Sequence, residues 1–250
     1  MNYIELSHSY IQTLKAYQPG KPIEEVQREL GIRDVIKLAS NENPLGPSPL
    51  AKKAALDALD KIALYPDGSG FELKQALSHF FSVSPEEITL GNGSDNILSL
   101  LIQSFGKGKT ILVSEYSFDN YVLIARGHGV DAKIAPSKNW GLDVNEVVKA
   151  IDETTAIIFI ANPNNPTGTY ITHEELVFLL RNTPPHVLVV VDEAYYEYAD
   201  QADYPRTQLL QKEYSNIVIT RTFSKAYALA GLRVGYSISH PQIADVINRI

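Results

Sequence analysis

Apolar residues in the second half of the chain come in short unbroken runs rather than in alternation. Ala156-Ile157-Ile158-Phe159-Ile160, Val187-Leu188-Val189-Val190-Val191 and Ile217-Val218-Ile219-Thr220 are of strand length and rich in β-branched residues. A strand that is apolar at every position is covered on both faces, as in a parallel sheet between helical layers. Further strands are predicted near 109–113, near 130–135 and at Ile88-Thr89-Leu90. Between them, apolar positions at helical spacing predict helices from Pro49 to about Leu64, over Phe71–Phe81, near 119–128, near 143–151 and from Thr172 to about Asn182. Ser48 before Pro49, the Ser84 to Glu87 run, and Thr172 with Glu175 supply start signals. His240-Pro241 opens a last helix with Ile243, Val246, Ile247 and Ile250 on one stripe and no stop signal. Alternating helix and strand sets the fold class as α/β, with a mostly parallel central sheet and helices on both faces.

Residues 1 to about 45 carry less pattern. Tyr17 to Pro22 and Asn41 to Pro49 are dense in chain breakers, and Ile23–Leu30 reads as a short amphipathic helix. We expect an N-terminal arm over 1–45 leading into one large domain over 46–250. Met1 to Tyr10 carries Glu5 and polar residues where a signal peptide is apolar, and the longest apolar runs are too short to cross a bilayer. The expectation is a cytoplasmic protein without a membrane partner.

Charge and composition narrow the chemistry. Lys and Arg number 22 against 29 Asp and Glu, a net charge of −7, which argues against a nucleic-acid binder. Any phosphate site must then be local, built from backbone N–H groups and a few cations. There is no cysteine, which excludes disulfides and thiolate catalysis. The histidines (His8, His79, His128, His173, His186, His240) form no ligand-spaced pair, so no metal site is expected.

Polar groups follow the apolar runs at once. After Leu90 comes Gly91-Asn92-Gly93-Ser94-Asp95-Asn96 and then an apolar helical run. This is either a tight turn or a glycine loop presenting a helix N-terminus to an anion. After Ile160 comes Asn162-Pro163-Asn164-Asn165-Pro166-Thr167-Gly168, a connection that either merely joins elements or aims asparagine amides at a ligand. Asp192, at the end of a buried run, is either a helix cap or a carboxylate that keeps a pyridine nitrogen protonated. Tyr195 follows it. Lys225 follows the run at 217–220 in an apolar setting, with Arg233 further on. A lysine that forms a Schiff base and an arginine that clamps a phosphate together suggest pyridoxal phosphate.

Several stretches carry a resemblance: Tyr17 to Pro22, Asn41-Glu42-Asn43-Pro44, Tyr65-Pro66-Asp67-Gly68, Gly91 to Asp95, Pro163 to Gly168, Asp192 to Tyr195, and Ser224 to Gly235. With them the chain resembles the fold-type I pyridoxal-phosphate aminotransferases, most closely the histidinol-phosphate aminotransferases. The resemblance implies pyridoxal 5'-phosphate as cofactor. It makes Lys225 the covalent attachment point and proton-transfer base, and Asp192 the partner of the ring nitrogen. Asn165 and Tyr195 would bond the ring oxygen, and Phe118 would stack on the ring. Ser94, Asp95, Ser224 and Arg233 would hold the phosphate. Tyr65 would reach the neighbouring subunit's phosphate, implying a homodimer with shared sites, and Tyr17 and Asn43 would line the substrate pocket. One departure is Asn96, where the family commonly has glutamate. Family members also continue well past position 250, so the C-terminal small domain, with its substrate-carboxylate arginine, is expected to be incomplete here. The implied reaction converts L-histidinol phosphate and 2-oxoglutarate to imidazole-acetol phosphate and L-glutamate. An aromatic-amino-acid aminotransferase, a threonine-phosphate-type decarboxylase and a non-catalytic fragment acting as an interaction protein stand as alternatives.

Overall fold

Residues 2–15 and 20–250 are described by the structure, a computed structural model. Its centre is a seven-stranded sheet. The strands are β1 (Ile88–Asn92), β2 (Thr110–Ser114), β3 (Asp131–Ala135), β4 (Thr155–Ala161), β5 (Leu188–Asp192), β6 (Ile217–Thr222) and β7 (Val234–Ser239). Their order across the sheet is β1-β7-β6-β5-β4-β2-β3. Only β7 is antiparallel to its neighbours β1 and β6, so the other strands all run one way.

The main helices are α1 (Ile23–Leu30), α2 (Pro49–Ala58), α3 (Phe71–Phe81), α4 (Ser94–Phe105), α5 (Asn120–Gly127), α6 (Val144–Ala150), α7 (His173–Arg181) and α8 (Pro241–Ile247). The unbroken apolar runs split by face. Ile157 and Phe159 of β4 pack with Val190 and Val218 against Ile97, Leu101 and Tyr121 of α4 and α5. Ile158 and Ile160 pack with Val189, Val191 and Ile219 against Val147, Leu176 and Leu179 of α6 and α7. This is why no position along these strands could be polar without a partner. Among the described residues, no helix is long and apolar enough to cross a membrane.

The start signals act as expected. The Ser48 hydroxyl accepts from Ala51 N–H. At the head of α7, Thr172 and Glu175 exchange bonds, Thr172 N–H to the Glu175 carboxylate at 2.7 Å and Glu175 N–H to the Thr172 hydroxyl at 3.3 Å. Three expectations change. The helix from Pro49 ends at Ala58 and continues only as a 3-10 turn, Leu59–Lys61. Helix α8 stops at Ile247; Ala244 and Ile247 take its buried positions, and Ile250 is 61% exposed. Finally, β7 is a strand that the pattern did not mark. Val234-Gly235-Tyr236-Ser237-Ile238-Ser239 carries serines where a buried strand is normally apolar, yet Ser237 and Ser239 are fully buried between β1 and β6. Gly235 admits it there: a Cβ at that position would lie 2.4 Å from Ser94 N.

Candidate active site

The carboxyl ends of the parallel strands meet at one edge of the sheet, and antiparallel β7 begins at the same edge. A cleft of about 330 Å3 opens there, as the topology of open α/β sheets favours. Ser94, Asp95, Phe118, Asn165, Asp192, Tyr195, Ser224, Lys225 and Arg233 all line it. These residues come from five separate segments at the strand ends, so their meeting follows from the sheet and not from closeness in sequence.

One end of the cleft suits an anion. Gly93, at φ +77°, precedes α4, whose start has no side-chain cap, so its first N–H groups are free to bind a ligand. Arg233, itself left-handed at φ 54°, donates from Nη1 to Ser224 Oγ at 3.3 Å and to the Ala230 carbonyl at 3.1 Å. Its Nη2 donates to the Asn92 carbonyl at 3.4 Å. A Cβ on residue 93 would stand 2.3 Å from Arg233 Nη2, so only glycine lets the guanidinium reach the helix N-terminus.

The middle of the cleft holds a buried acid and two tyrosines. Asp192 is 5% exposed. Its carboxylate accepts from the Tyr121 hydroxyl at 2.8 Å and from Thr220 Oγ1 at 3.2 Å. Burial pushes its pKa up to about 6, against the pull of those donors. The Tyr195 hydroxyl accepts from Asn41 Nδ2 at 2.8 Å, and burial holds its phenol above the ordinary value. Asn165 reaches the cleft because its neighbours fix the loop. Asn162 Oδ1 accepts from Ile171 N–H at 2.9 Å, and Asn164 Nδ2 donates to the Tyr116 carbonyl at 2.7 Å.

Lys225 is half-buried. Its Nζ donates to the Ser40 carbonyl at 2.9 Å and lies 5.7 Å from the Tyr195 ring centre. Burial lowers its pKa, which raises the share of neutral amine, the nucleophilic form. Ser40 and Asn41, both at positive φ, turn the arm over the cleft. Asn43 anchors that turn by donating to the Ala226 carbonyl at 2.9 Å.

One expected residue stands apart. Tyr65 is fully exposed, on a surface groove beside Asp57 and Lys61, away from this cleft. Tyr17 lies outside the described residues. Sequence reasoning passed over Ser40, Tyr121 and a buried ion pair under the site. Arg221 Nε and Nη2 donate to Glu193 Oε2 at 2.9 and 2.7 Å. The guanidinium also lies 3.7 Å from the Tyr196 ring centre. The pair ties the end of β6 to the residue after Asp192. Arg221→Ala leaves Glu193, 1% exposed, without its counter-charge and is expected to cost about 3–5 kcal/mol in urea unfolding. A loss under ~1 kcal/mol, the range of exposed pairs, would contradict this account. Among the described residues, no group of three or more His, Cys, Asp or Glu could hold a metal ion.

Residues 33–250 match the family model for aminotransferase class I and II. Histidinol-phosphate aminotransferase 2 of Haemophilus influenzae is 47% identical over 251 residues, which is 100% of this chain and 69% of that protein. Histidinol-phosphate aminotransferase 1 of Nitrosococcus oceani is 47% identical over 249 residues, 99% of this chain and 67% of that protein. The crystal structure of histidinol-phosphate aminotransferase from Sinorhizobium meliloti in complex with pyridoxal-5'-phosphate matches with a TM-score of 0.87 at 29% identity. The match covers 97% of this chain and 65% of that one. The chain thus spans about two thirds of the length of these relatives.

Proposed function

Because the chain belongs to the class I and II aminotransferases and has their fold-type I architecture, we propose that it is a transaminase acting on L-histidinol phosphate. Its amino group would pass to 2-oxoglutarate, giving imidazole-acetol phosphate and L-glutamate. The observation that carries this reading is the convergence of Lys225, Asp192 and Arg233 on one cleft.

The residues present fit pyridoxal phosphate. The glycine-walled approach of Arg233 to the start of α4 suits a phosphate, and Asp192 suits a ring nitrogen. When bound, the cofactor supplies an electron-poor ring that absorbs the charge left on the substrate carbon after its proton departs. The side chains do the rest. Arg233, Ser224 and the N–H groups of Ser94 and Asp95 hold the phosphate. The Asp192 carboxylate holds a proton on the ring nitrogen. Asn165 and Tyr195 fix the ring oxygen, and Phe118 covers one ring face and excludes water. Lys225 Nζ would be the nucleophile, and as an amine it would carry the proton to and from the substrate carbon. Asn43 serves the substrate side through the turn that it anchors.

A homodimer belongs to the same proposal. Ile62 and Leu64, 78 and 71% exposed, share a surface groove with fully exposed Tyr65. A second copy covering this apolar face would bring Tyr65 to the partner's phosphate. Tyr65→Phe is then expected to raise the cofactor Kd roughly tenfold or more, with sedimentation still giving a dimer. An unchanged Kd would remove Tyr65 from the site. A cytoplasmic location also belongs to this reading.

The testing experiment is a visible spectrum of the chain with pyridoxal phosphate, then borohydride reduction and peptide mapping. L-histidinol phosphate is assayed beside aromatic amino acids, with 2-oxoglutarate as acceptor. An adduct on Lys225 with preference for L-histidinol phosphate is the expected result. An adduct elsewhere overturns the site, and preference for an aromatic amino acid overturns the substrate.

A further inference from the structure

Tyr121 is a fully buried phenol in the first turn of α5. Its ring stacks on Phe159 of β4 with centres 5.0 Å apart and planes 11° from parallel. Phe118 meets it edge-on at 5.5 Å. Held on both sides, the ring has one direction in which to send its hydroxyl, and that direction ends on Asp192 Oδ2 at 2.8 Å. Thr220, from β6, occupies Oδ1 at 3.2 Å. The carboxylate is therefore gripped from α5 and from β6.

Burial and the nearby acids Asp192 and Asp95 hold the phenol protonated, so Tyr121 always acts as donor. The other charged or titratable groups facing Asp192 are Asp95 at the start of α4, Tyr195 and Lys225 at the cleft, and Tyr204. Asp95 opposes its ionisation and Lys225 favours it. Against the burial of Asp192, Tyr121 makes the larger of the two hydroxyl contributions that keep the carboxyl charged.

We propose that Tyr121 is a positioning residue for transamination: its hydroxyl fixes the Asp192 carboxylate and holds it ionised, so that Asp192 can keep a proton on the cofactor's ring nitrogen. This rests on the cofactor assignment above, but its first test does not. Tyr121→Phe keeps both ring contacts and deletes only the donor. In the cofactor-free protein, the Asp192 carboxyl is titrated by infrared difference spectroscopy, with Asp192→Asn as the blank. The midpoint is expected to rise by about one pH unit or more, the worth of one hydrogen bond to a charge. Cofactor affinity then falls up to about fivefold at pH 6 and hardly at pH 8, because the ionised form binds much the more tightly. A packing residue would give no such pH signature.

A second measurement avoids any question of folding. Placing 3-fluorotyrosine at position 121 makes the hydroxyl a stronger donor and is expected to lower the Asp192 midpoint. Midpoints that stay put in both proteins overturn the proposal. If they move as expected but no cofactor binds at any pH, the positioning contact stands and the cofactor assignment falls.

Discussion

Lys225→Ala is expected to abolish covalent cofactor attachment and to remove measurable transamination. Among the described residues no other lysine lines the cleft that holds Asp192 and Arg233, so none of them offers a second amine there. The variant should still bind pyridoxal phosphate through the Arg233 end, because that end shares no hydrogen bond with Nζ. The readout is the visible spectrum before and after borohydride, with mass spectrometry of the digest. Reducible attachment in the variant, or normal turnover, would sink the assignment of Lys225. Partial recovery of the rate by added small amines would favour it, since proton transfer needs only a base of suitable pKa in the same space.

Asp192→Asn should separate function from stability. On the functional side it removes the charge that, in the proposed function, would hold a proton on the ring nitrogen. Truncating one side of a buried charge pair costs about 3–5 kcal/mol, which as lost transition-state stabilisation is roughly a hundred- to several-thousand-fold in rate. On the stability side the sign reverses. Burial raises the folded-state pKa of Asp192 from 3.8 to about 6. Between about 4 and 6 the folded cofactor-free protein therefore binds more protons than the unfolded chain, and its stability falls as pH rises through that window. Above about 6 the buried charge is a constant penalty, on the order of 3 kcal/mol at most. The Asn variant escapes it, so its melting temperature at pH 8 is expected to exceed that of the parent, with the difference shrinking towards pH 4. A variant less stable than its parent at pH 8, or one with unaltered kinetics, would refute the corresponding half.

Asp192 could be picked out because it is the first polar residue after its apolar run, and Lys225, Asn165 and Ser94 because they lie in the short polar segments that follow theirs; the sheet delivers such segments to a common edge. What escaped notice did so for physical reasons. Ser40 contributes a backbone carbonyl, which every residue has. Tyr121 is an aromatic on the buried face of a helix, a position that ordinarily signals core alone. Glu193 and Arg221 are adjacent only through the pairing of β5 with β6, which sets Asp192 opposite Thr220. Strand β7 hid behind its serines, which are buried because two strands flank it rather than because they are apolar. Tyr65 is the reverse case: a residue marked by resemblance that the single chain leaves on its surface.

The reversed direction of β7 has a consequence for how the site is measured out. Because β6 ends and β7 begins at the same edge, Lys225 and Arg233 belong to one connecting loop. In the proposed function Lys225 and Arg233 would face two ends of one small molecule, and the distance between them is set by the length of that loop. One residue added or lost between positions 225 and 233 alters that ruler directly. The same change between β5 and β6 falls outside it and leaves the two cations in step. A parallel β7 would have needed a crossover, and the ruler would then have run through the whole thickness of the domain.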